Sequence, residues 1–431
     1  MAKQKKKEVT IESDLLADDK LEEAPKLESQ KSKKKNNGDK KKSKVRFVLP
    51  LSILLVIIIS VVVTTILMHQ NKPVDPNLNP TEEETSQTEE VPKIYSHLTG
   101  LEITDASVND LPTFCIQIPN DTYGARPQVG LNKAAIVFEA IAEGGITRLA
   151  TIWQNLEDSV IGPIRSLRTY YLDWETPFDC TLVHAGGETE ARKQAASGAY
   201  RDLTESTVYM YRDSRGYKAP DNLFTSAALL NKFNSDKKYT TSAPKVFARQ
   251  TPEEAEKVAK TVQENAKNAS ESSEASKNEN GELKAVNDIK INFGRLPNFN
   301  TVYKYNAKTN SYDRSFESGA EHIVYSCRAG LSKPSPKQEC GEPVQLSPSV
   351  VIAIKVDEYT KPGSEKRESI TTIGSGEAYI FQNGSVIKGT WKKGSQKEQI
   401  SFVDDNGEEI KLAPGQTWIA AVPNAYGSVK Y

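Results

Sequence analysis

Six segments between residues 113 and 198 decide the fold, because patterns that predict strands alternate there with patterns that predict helices. They read TFCIQIP (113–119), NKAAIVFEAIAE (132–143), TRLATIWQ (147–154), SLRTYYLDWE (166–175), CTLVHAGG (180–187) and ETEARKQAASG (188–198). The first, third and fifth predict strands, the fourth and sixth predict helices, and the second has both helical and strand character. This alternation is typical of an α/β layer.

The C-terminal part of the chain is predicted to be rich in β-structure. The run VVIAIKV (350–356) is continuously apolar, as expected of a buried strand. Asn-Gly pairs at 383–384 and 406–407 stand between alternating segments, and this dipeptide is a strong signal for a β-hairpin. We therefore predict an α+β protein with a larger α/β layer at 95–250 and a smaller β-rich meander at 286–431.

The segment 251–285 is polar and nearly lacks large apolar side chains. It opens with Thr251 and Pro252, a combination that favours the start of a helix. We predict a short exposed helix that fades into a flexible linker. A regulatory insertion is the alternative.

One uncharged segment, FVLPLSILLVIIISVVVTTILM (47–68), precedes these regions. As a helix it would span roughly 33 Å, enough for a hydrocarbon core of about 30 Å. A buried core helix is the alternative, but such helices rarely lack a polar face over this length. Because no small-x-small cleavage site follows, we predict an uncleaved transmembrane helix that acts as a signal anchor.

The flanks of this span predict its orientation. Residues 1–46 carry 15 Lys/Arg and 9 Asp/Glu, whereas the acidic, Pro-rich segment 69–94 is predicted to be a disordered stalk. The positive-inside rule then places the N-terminal arm in the cytoplasm and the folded part outside a cell membrane that the chain crosses once. The basic run could instead bind nucleic acid, but topology suffices to explain it, so we expect no nucleic-acid partner.

All four cysteines fall on the predicted external side, where disulfides persist. Cys327 and Cys340 flank a polar loop of about 14 residues, and a disulfide there would contribute on the order of 3 kcal/mol. We predict that disulfide. Cys115 and Cys180 lie in apolar strands, where we expect small core residues, with a second disulfide as the alternative.

Glycine, arginine and acidic residues concentrate at 125–148, 161–174 and 183–191. If the segment 161–174 is helical, Arg165 and Arg168 share a helix face, and guanidinium groups suit a carboxylate, phosphate or acidic-sugar ligand. The candidate ligand-binding residues are Arg148, Arg165, Arg168, Glu188 and Arg212, and the candidate catalytic residues are Glu143 and His184. The alternatives are a buried ion-pair network that includes Glu139, and a purely structural role for His184.

Several classes of site lack support in the sequence. No two of the four histidines lie close together in the sequence, so the sequence predicts no local metal site. We also expect no cofactor. The sequence also contains no G-x-S-x-G, H-E-x-x-H or P-loop signature.

The chain resembles the YerB family of bacterial envelope lipoproteins, which is defined by a domain of unknown function. The resemblance rests on RPQxGLxKAxIVxExxxEGGITR, GPxRSxR, HAGG and APxN, and on GEAYIFQNGSVIKGTWKK and GQTWIAAVP near the C-terminus. It implies a two-part fold and an envelope location, and it implies no reaction. The chain departs from the family in having an apolar span in place of a lipidated cysteine, and Asp221 where histidine is frequent.

Two functions remain open at this point. The first is a binding or scaffold module that recognises an anionic cell-wall polymer or an envelope protein. The second is a glycan-cleaving or glycan-transferring enzyme with Glu143 as general acid and Glu139 or Glu188 as the second carboxylate, at about 5–9.5 Å. An open cleft around Glu143 would favour the enzyme. In a parallel α/β layer, element ends gather at one edge, so we expect Glu143, His184 and the three arginines at 148, 165 and 168 to converge.

Overall fold

The structure, a computed structural model, describes residues 92–157, 159–214, 216–271, 285–294, 296–326, 340, 342–360 and 368–431. The predicted arm, the predicted transmembrane helix and most of the predicted stalk lie outside these residues. Within the described part of the chain, no helix is both long and apolar enough to cross a membrane. The first paired strand among the described residues begins at Ile94, the last position of the predicted stalk.

Strands predominate over helices in the described residues, which confirms the predicted α+β class in its coarse form. The strands are β1 (Ile94–Tyr95), β2 (Glu102–Ile103), β3 (Thr113–Pro119), β4 (Gln128–Val129), β5 (Ile136–Glu143), β6 (Ile146–Trp153), β7 (Val160–Ile161), β8 (Cys180–Val183), β9 (Arg201–Leu203), β10 (Tyr211–Arg212), β11 (Leu223–Ser226), β12 (Asp288–Asn292), β13 (Thr301–Asn306), β14 (Ser311–Phe316), β15 (Ile323–Tyr325), β16 (Val344–Gln345), β17 (Val350–Val356), β18 (Glu358–Thr360), β19 (Glu368–Ile370), β20 (Gly374–Gln382), β21 (Ser385–Lys393), β22 (Ser401–Val403), β23 (Thr417–Pro423) and β24 (Ser428–Lys430). The α-helices are α1 (Thr169–Glu175), α2 (Thr189–Ala195), α3 (Ala227–Lys237) and α4 (Pro252–Glu271).

A ten-stranded mixed sheet, in the order β22-β21-β20-β17-β23-β5-β6-β3-β8-β9, forms the centre of the described structure. Its first five strands come from the C-terminal part of the chain and its last five from the N-terminal part. The N-terminal half of this sheet is mixed, so the predicted parallel layer is confirmed only for β3, β8 and β9, which are parallel neighbours. Strands β5 and β6 are antiparallel, because Gly144 and Gly145, with φ of 56° and 83°, make a two-residue hairpin turn between them.

Both faces of this sheet are covered. On one face, Phe138 of β5 packs against Trp174 of α1, with stacked rings whose centroids lie 5.1 Å apart. On the other face, Val137 lies in a core with Tyr303 and Tyr312, which belong to a second, four-stranded sheet in the order β14-β13-β12-β24. Burial on both faces explains why β5 reads as a continuous apolar run instead of an alternating strand.

The two Asn-Gly pairs that predict β-hairpins differ in the structure. Asn383 and Gly384, both with positive φ, join β20 to β21 as predicted. After β22, in contrast, the second Asn-Gly pair is followed only by an isolated bridge between Val403 and Glu409. The predicted helix near residue 251 is present as α4, and Thr251 and Glu254 fix its start by exchanging side chain to backbone hydrogen bonds of 2.8 and 3.2 Å. The helix is neither short nor wholly exposed, because it has 20 residues and buries Ala255, Ala259 and Val262.

Cys115 of β3 and Cys180 of β8 form a disulfide, so the expectation that they are separate core residues is wrong. The two strands are parallel neighbours, which brings together cysteines 65 positions apart in the sequence. Cys340 is also disulfide-bonded. Its predicted partner, Cys327, lies outside the described residues, so that pairing stays a prediction.

A buried ion pair joins the two parts of the chain where β23 pairs with β5. Glu139 of β5 and Arg314 of β14 are both fully buried, with 2.8 Å between Oε2 and Nη2. Trp418 of β23 donates its Nε1–H to the same carboxylate oxygen at 2.8 Å. The other oxygen accepts hydrogen bonds from Thr147 at 2.8 Å and Asn120 at 3.2 Å. Every donor that the buried carboxylate needs is thus supplied by strands and loops from both parts.

Arg314 is held by further buried groups. Its Nε donates to the Tyr303 hydroxyl at 3.0 Å, and its Nη1 contacts Nδ1 of His322. Burial, together with the charges of Arg314 and Arg126, holds the pKa of His322 well below its ordinary value. The neutral ring can therefore accept from Arg314 through Nδ1 and donate from Nε2 to Gln128, whose Oε1 lies 2.9 Å away.

Another buried carboxyl group lies at the end of α1. Glu175 is fully buried, and burial raises its pKa to about 8. Gln117 donates its side-chain N–H to Glu175 Oε1. Glu175 Oε2 and Gln117 Oε1 have no hydrogen-bond partner among the described residues. A proton on Glu175 would let the two side chains form a second, reciprocal hydrogen bond, so the neutral acid fits this position.

Replacing Arg314 with Met should lower the free energy of unfolding by about 3–5 kcal/mol, because Glu139 would remain buried without its counter-charge. Urea denaturation followed by tryptophan fluorescence measures this change. Arg212→Ala is the matched control, since its pair with Glu205 is 44% and 45% exposed and such pairs contribute about 1 kcal/mol or less. Equal losses in the two variants would contradict the role assigned to Arg314.

The free energy of unfolding should also fall as the pH rises, because of Glu175. Its pKa is raised from 4.5 to about 8, so between these values the folded protein keeps a proton that the unfolded chain releases. The contribution of this group to the free energy of unfolding therefore falls as pH rises through that window, by about 1.4 kcal/mol per pKa unit at most. Glu175→Gln should flatten the decline in urea denaturation between about pH 5 and pH 9. An unchanged slope in the variant would argue against a buried neutral acid.

Candidate functional site

Two predicted site residues, Glu143 and Arg148, lie near the tip of the β5–β6 hairpin. A register shift between Ile141 and Glu143 interrupts the regular alternation of β5 just before the glycine turn. Glu143 is 39% exposed, and its Oε1 lies 2.7 Å from Nη2 of Arg148, whose side chain is only 5% exposed. The strand ends thus place a half-exposed carboxylate over a buried guanidinium.

A second buried guanidinium contacts the same carboxylate. Arg168, at the residue before α1, pairs through Nη2 with Oε2 of Glu143. Its Nη1 donates to the Leu167 carbonyl at 3.2 Å, while its Nε has no hydrogen-bond partner among the described residues. Burial, and then the nearby charge of Arg168, lowers the pKa of Arg148 to about 10. Two buried arginines therefore share Glu143.

Arg165 lies beside this pair in a segment that is extended. The predicted helix at 166–175 begins only at Thr169, so the prediction that Arg165 and Arg168 share a helix face is wrong. The backbone is extended before Thr169 because Leu167 forms a parallel bridge with Gly187. A Cβ atom at Gly187 would lie 2.8 Å from the Leu167 carbonyl oxygen, so this close approach requires glycine.

The side chain of Arg165 is the accessible guanidinium of the cluster. It is 28% exposed, and its Nε lies 3.1 Å from Oδ1 of Asp221, which is 9% exposed. Burial raises the pKa of Asp221, and the charge of Arg165 opposes that rise. The backbone next to Arg165 lies against Arg148, whose Nη1 donates to the Ser166 carbonyl at 3.3 Å.

Glu188 and His184 have positions that stabilise the surrounding backbone. Glu188 is buried, and its Oε2 accepts hydrogen bonds from the backbone N–H of Thr169 at 3.2 Å and from its hydroxyl at 2.9 Å, which caps α1. His184 is 1% exposed. Its Nδ1 lies 2.7 Å from the Gly186 carbonyl, and its Nε2 lies 2.9 Å from Asp202 Oδ1. Both ring nitrogens are thus engaged.

The predicted convergence holds for all five residues, Glu143, Arg148, Arg165, Arg168 and His184. Glu143, Arg148 and Arg168 are in direct contact and Arg165 is adjacent. His184 comes close through the backbone, since Ala185 donates its N–H to the Arg165 carbonyl at 3.0 Å. Arg212 is not joined to this cluster by its described ion pair and hydrogen bonds, which go to Glu205 and Asn222. We call Glu143, Arg148, Arg165, Arg168 and Asp221 the arginine cluster.

This geometry bears on the two functions that the sequence left open. Both oxygens of Glu143 are paired with guanidinium groups, so Glu143 is held as a carboxylate, whereas a general acid must carry a proton. Glu139 is buried against Arg314, and Glu188 caps α1, so neither is placed as the second carboxylate of a glycosidase. Among the described residues, no group of three or more His, Cys, Asp or Glu is placed to hold a metal ion. The arrangement is suited to binding an anion.

Two loops beside the cluster were not singled out by the sequence. Tyr123 is 93% exposed on a loop that packs against Asp221. Leu296, from the C-terminal part, packs over the hairpin turn, where a Cβ atom at Gly145 would lie 3.1 Å from its Cδ1. The Asp and Gly residues around Tyr123 signal a turn, but only the folded structure shows that the turn borders the arginines.

Known proteins agree with this architecture. Residues 98–240 match the family described as "Protein of unknown function (DUF3048) N-terminal domain", and residues 289–419 match the corresponding C-terminal domain. The chain is 28% identical over 338 residues to "Putative lipoprotein YerB" of Bacillus subtilis (strain 168), an alignment that covers 77% of this chain and 87% of that protein. It is also similar to the crystal structure of YerB protein from Bacillus subtilis, with a TM-score of 0.59 at 26% identity, over 79% of this chain and 100% of that chain. Both domains of the family match in the same order, and the relative and the solved structure agree with that match. The chain therefore belongs to the YerB-like (DUF3048) family.

Proposed function

We propose that this protein is a membrane-anchored, extracytoplasmic binding module that recognises an anionic component of the cell envelope through Arg165. The observation that carries the proposal is the accessible guanidinium of Arg165 beside two buried arginines that share one carboxylate. The partner is a cell-wall polymer that bears carboxylate or phosphate groups. An envelope protein with an acidic surface is the second candidate partner.

The electrostatics of the cluster support an anionic ligand. Three guanidinium groups face two carboxylates, those of Glu143 and Asp221. The buried arginines cannot move their charge into water, so their positive potential persists at the surface near Arg165. An incoming carboxylate or phosphate can form charge-assisted hydrogen bonds with Arg165, which is pre-positioned by its backbone pairing to Gln117.

The location rests on two independent observations. The relative in Bacillus subtilis is named as a lipoprotein, which is anchored to a membrane through a lipid. In this chain, the uncharged segment 47–68 with its basic flank offers a different anchor for the same placement. We propose a single transmembrane helix, with a cytoplasmic N-terminus and the folded region outside.

Arg165→Ala is expected to reduce binding while leaving the fold intact. In a co-sedimentation assay of the purified full-length chain with peptidoglycan sacculi, the variant should bind about tenfold more weakly, as expected when one charge-assisted contact is removed. Its melting temperature should stay close to that of the unsubstituted protein, because the Arg165 side chain is partly exposed.

Two further variants make this test specific. Arg212→Ala removes an equally charged but unconnected side chain, so it should bind normally. Arg168→Ala removes a buried partner of Glu143 and should cost several kcal/mol of stability, on the order of 3 kcal/mol or more. If Arg165→Ala is destabilised to the same extent as Arg168→Ala and sediments like the unsubstituted protein, the cluster is structural and the proposed function is wrong.

The proposed topology is tested separately. Protease added to intact, wall-stripped cells should digest a C-terminal tag, because the folded region is placed outside, while a cytoplasmic reporter stays whole. Survival of the tag under conditions that digest a known external protein would contradict the topology.

A further inference from the structure

An exposed aromatic ring stands at the edge of the arginine cluster. Tyr123 is 93% exposed, far more than the other exposed large hydrophobic residues among those described. Its loop is not loose, because Asp121 Oδ1 accepts the backbone N–H groups of Tyr123 at 3.0 Å and Gly124 at 3.1 Å. Gly124 packs on Asp221, where an added Cβ atom would lie 3.3 Å from Oδ2. Asp221 in turn contacts Arg165.

The loop is also fixed from its other end. Arg126 donates from Nη1 to the carbonyl of Asn298 at 3.0 Å, and its guanidinium group lies 3.7 Å from the centroid of the Phe316 ring. The same C-terminal loop carries Leu296, which is 38% exposed and covers the hairpin turn beside Glu143. Two exposed apolar side chains, on loops tied to each other, therefore flank the arginine cluster.

A ligand that satisfies both features must have an apolar face and an anionic group. A pyranose ring has both when it bears a carboxylate, since one face presents C–H groups and the edge presents hydroxyls. The C–H face packs on an aromatic ring, the carboxylate pairs with a guanidinium group, and hydroxyls donate to carboxylates such as Asp221. A flexible phosphodiester chain without rings has no face for Tyr123.

We propose that Tyr123 is a specificity-determining residue that stacks on a sugar ring while Arg165 binds the carboxylate of the same or the adjacent unit, so that the ligand class is a carboxylate-bearing saccharide. This inference rests on the proposed function, because it uses the same arginine cluster. It adds the ring as a requirement for binding.

The test is isothermal titration of the full-length chain in detergent with trigalacturonate, a saccharide of three uronic-acid rings, and with citrate, a tricarboxylate without a ring. Trigalacturonate should bind more tightly than citrate. Tyr123→Ala should weaken trigalacturonate about fivefold and leave citrate unchanged, whereas Tyr123→Phe should stay within about twofold, because the ring carries the contact. Tyr359→Ala, at a tyrosine that is 50% exposed elsewhere, should have no effect.

The outcomes separate this inference from the proposed function. If Tyr123→Ala binds trigalacturonate as tightly as the unsubstituted protein, or if citrate binds equally well, the inference is overturned while the anion site stands. If Arg165→Ala keeps full affinity for both probes, the proposed function fails as well. Absence of trigalacturonate binding to the unsubstituted protein, with circular dichroism showing an intact fold, also overturns the inference.

Discussion

The buried pair of Glu139 and Arg314 is the interaction on which the rest of the structure depends. The two residues are 175 positions apart, and each is fully removed from water. A buried carboxylate is tolerated only when its partners are in place, so β5, β14 and β23 must be assembled together. Trp418 ties β23 into the same group, next to the parallel pairing of β23 with β5. This requirement couples the four-stranded sheet that carries β14 to the centre of the ten-stranded sheet.

The β5–β6 hairpin links this interior to the surface site. Glu139 points to the face that carries Arg314, whereas the irregularity after Ile141 turns Glu143 toward Arg148 and Arg168. The β5–β6 hairpin therefore contributes both to the buried contact between the two parts of the chain and to the arginine cluster. Leu296 reaches the hairpin turn from the C-terminal part, so the border of the site is complete only when both parts of the chain are folded.

Local features of this structure were predictable from the sequence, whereas most pairings between distant segments were not. Strand β3, helix α4 and the turn at Asn383 follow from short patterns that act within a few residues. The convergence of the arginines was also predictable, because each lies beside a turn or an element end. The helix predicted at 166–175 begins only at Thr169, because Leu167 pairs with Gly187 and the backbone before Thr169 is extended. No local pattern encodes such pairing between distant segments, and the disulfide of Cys115 and Cys180 has the same origin.

The two parts of the chain share the ten-stranded sheet, so we expect them to fold as one unit. Native-state hydrogen exchange of the full-length chain, measured by mass spectrometry over increasing denaturant, tests it most directly. The backbone amides of β5 and β23 are expected to open with the same free energy, equal to that of global unfolding. Opening of β17 and β20–β23 at a clearly lower free energy, while β3, β5 and β6 stay protected, would contradict it.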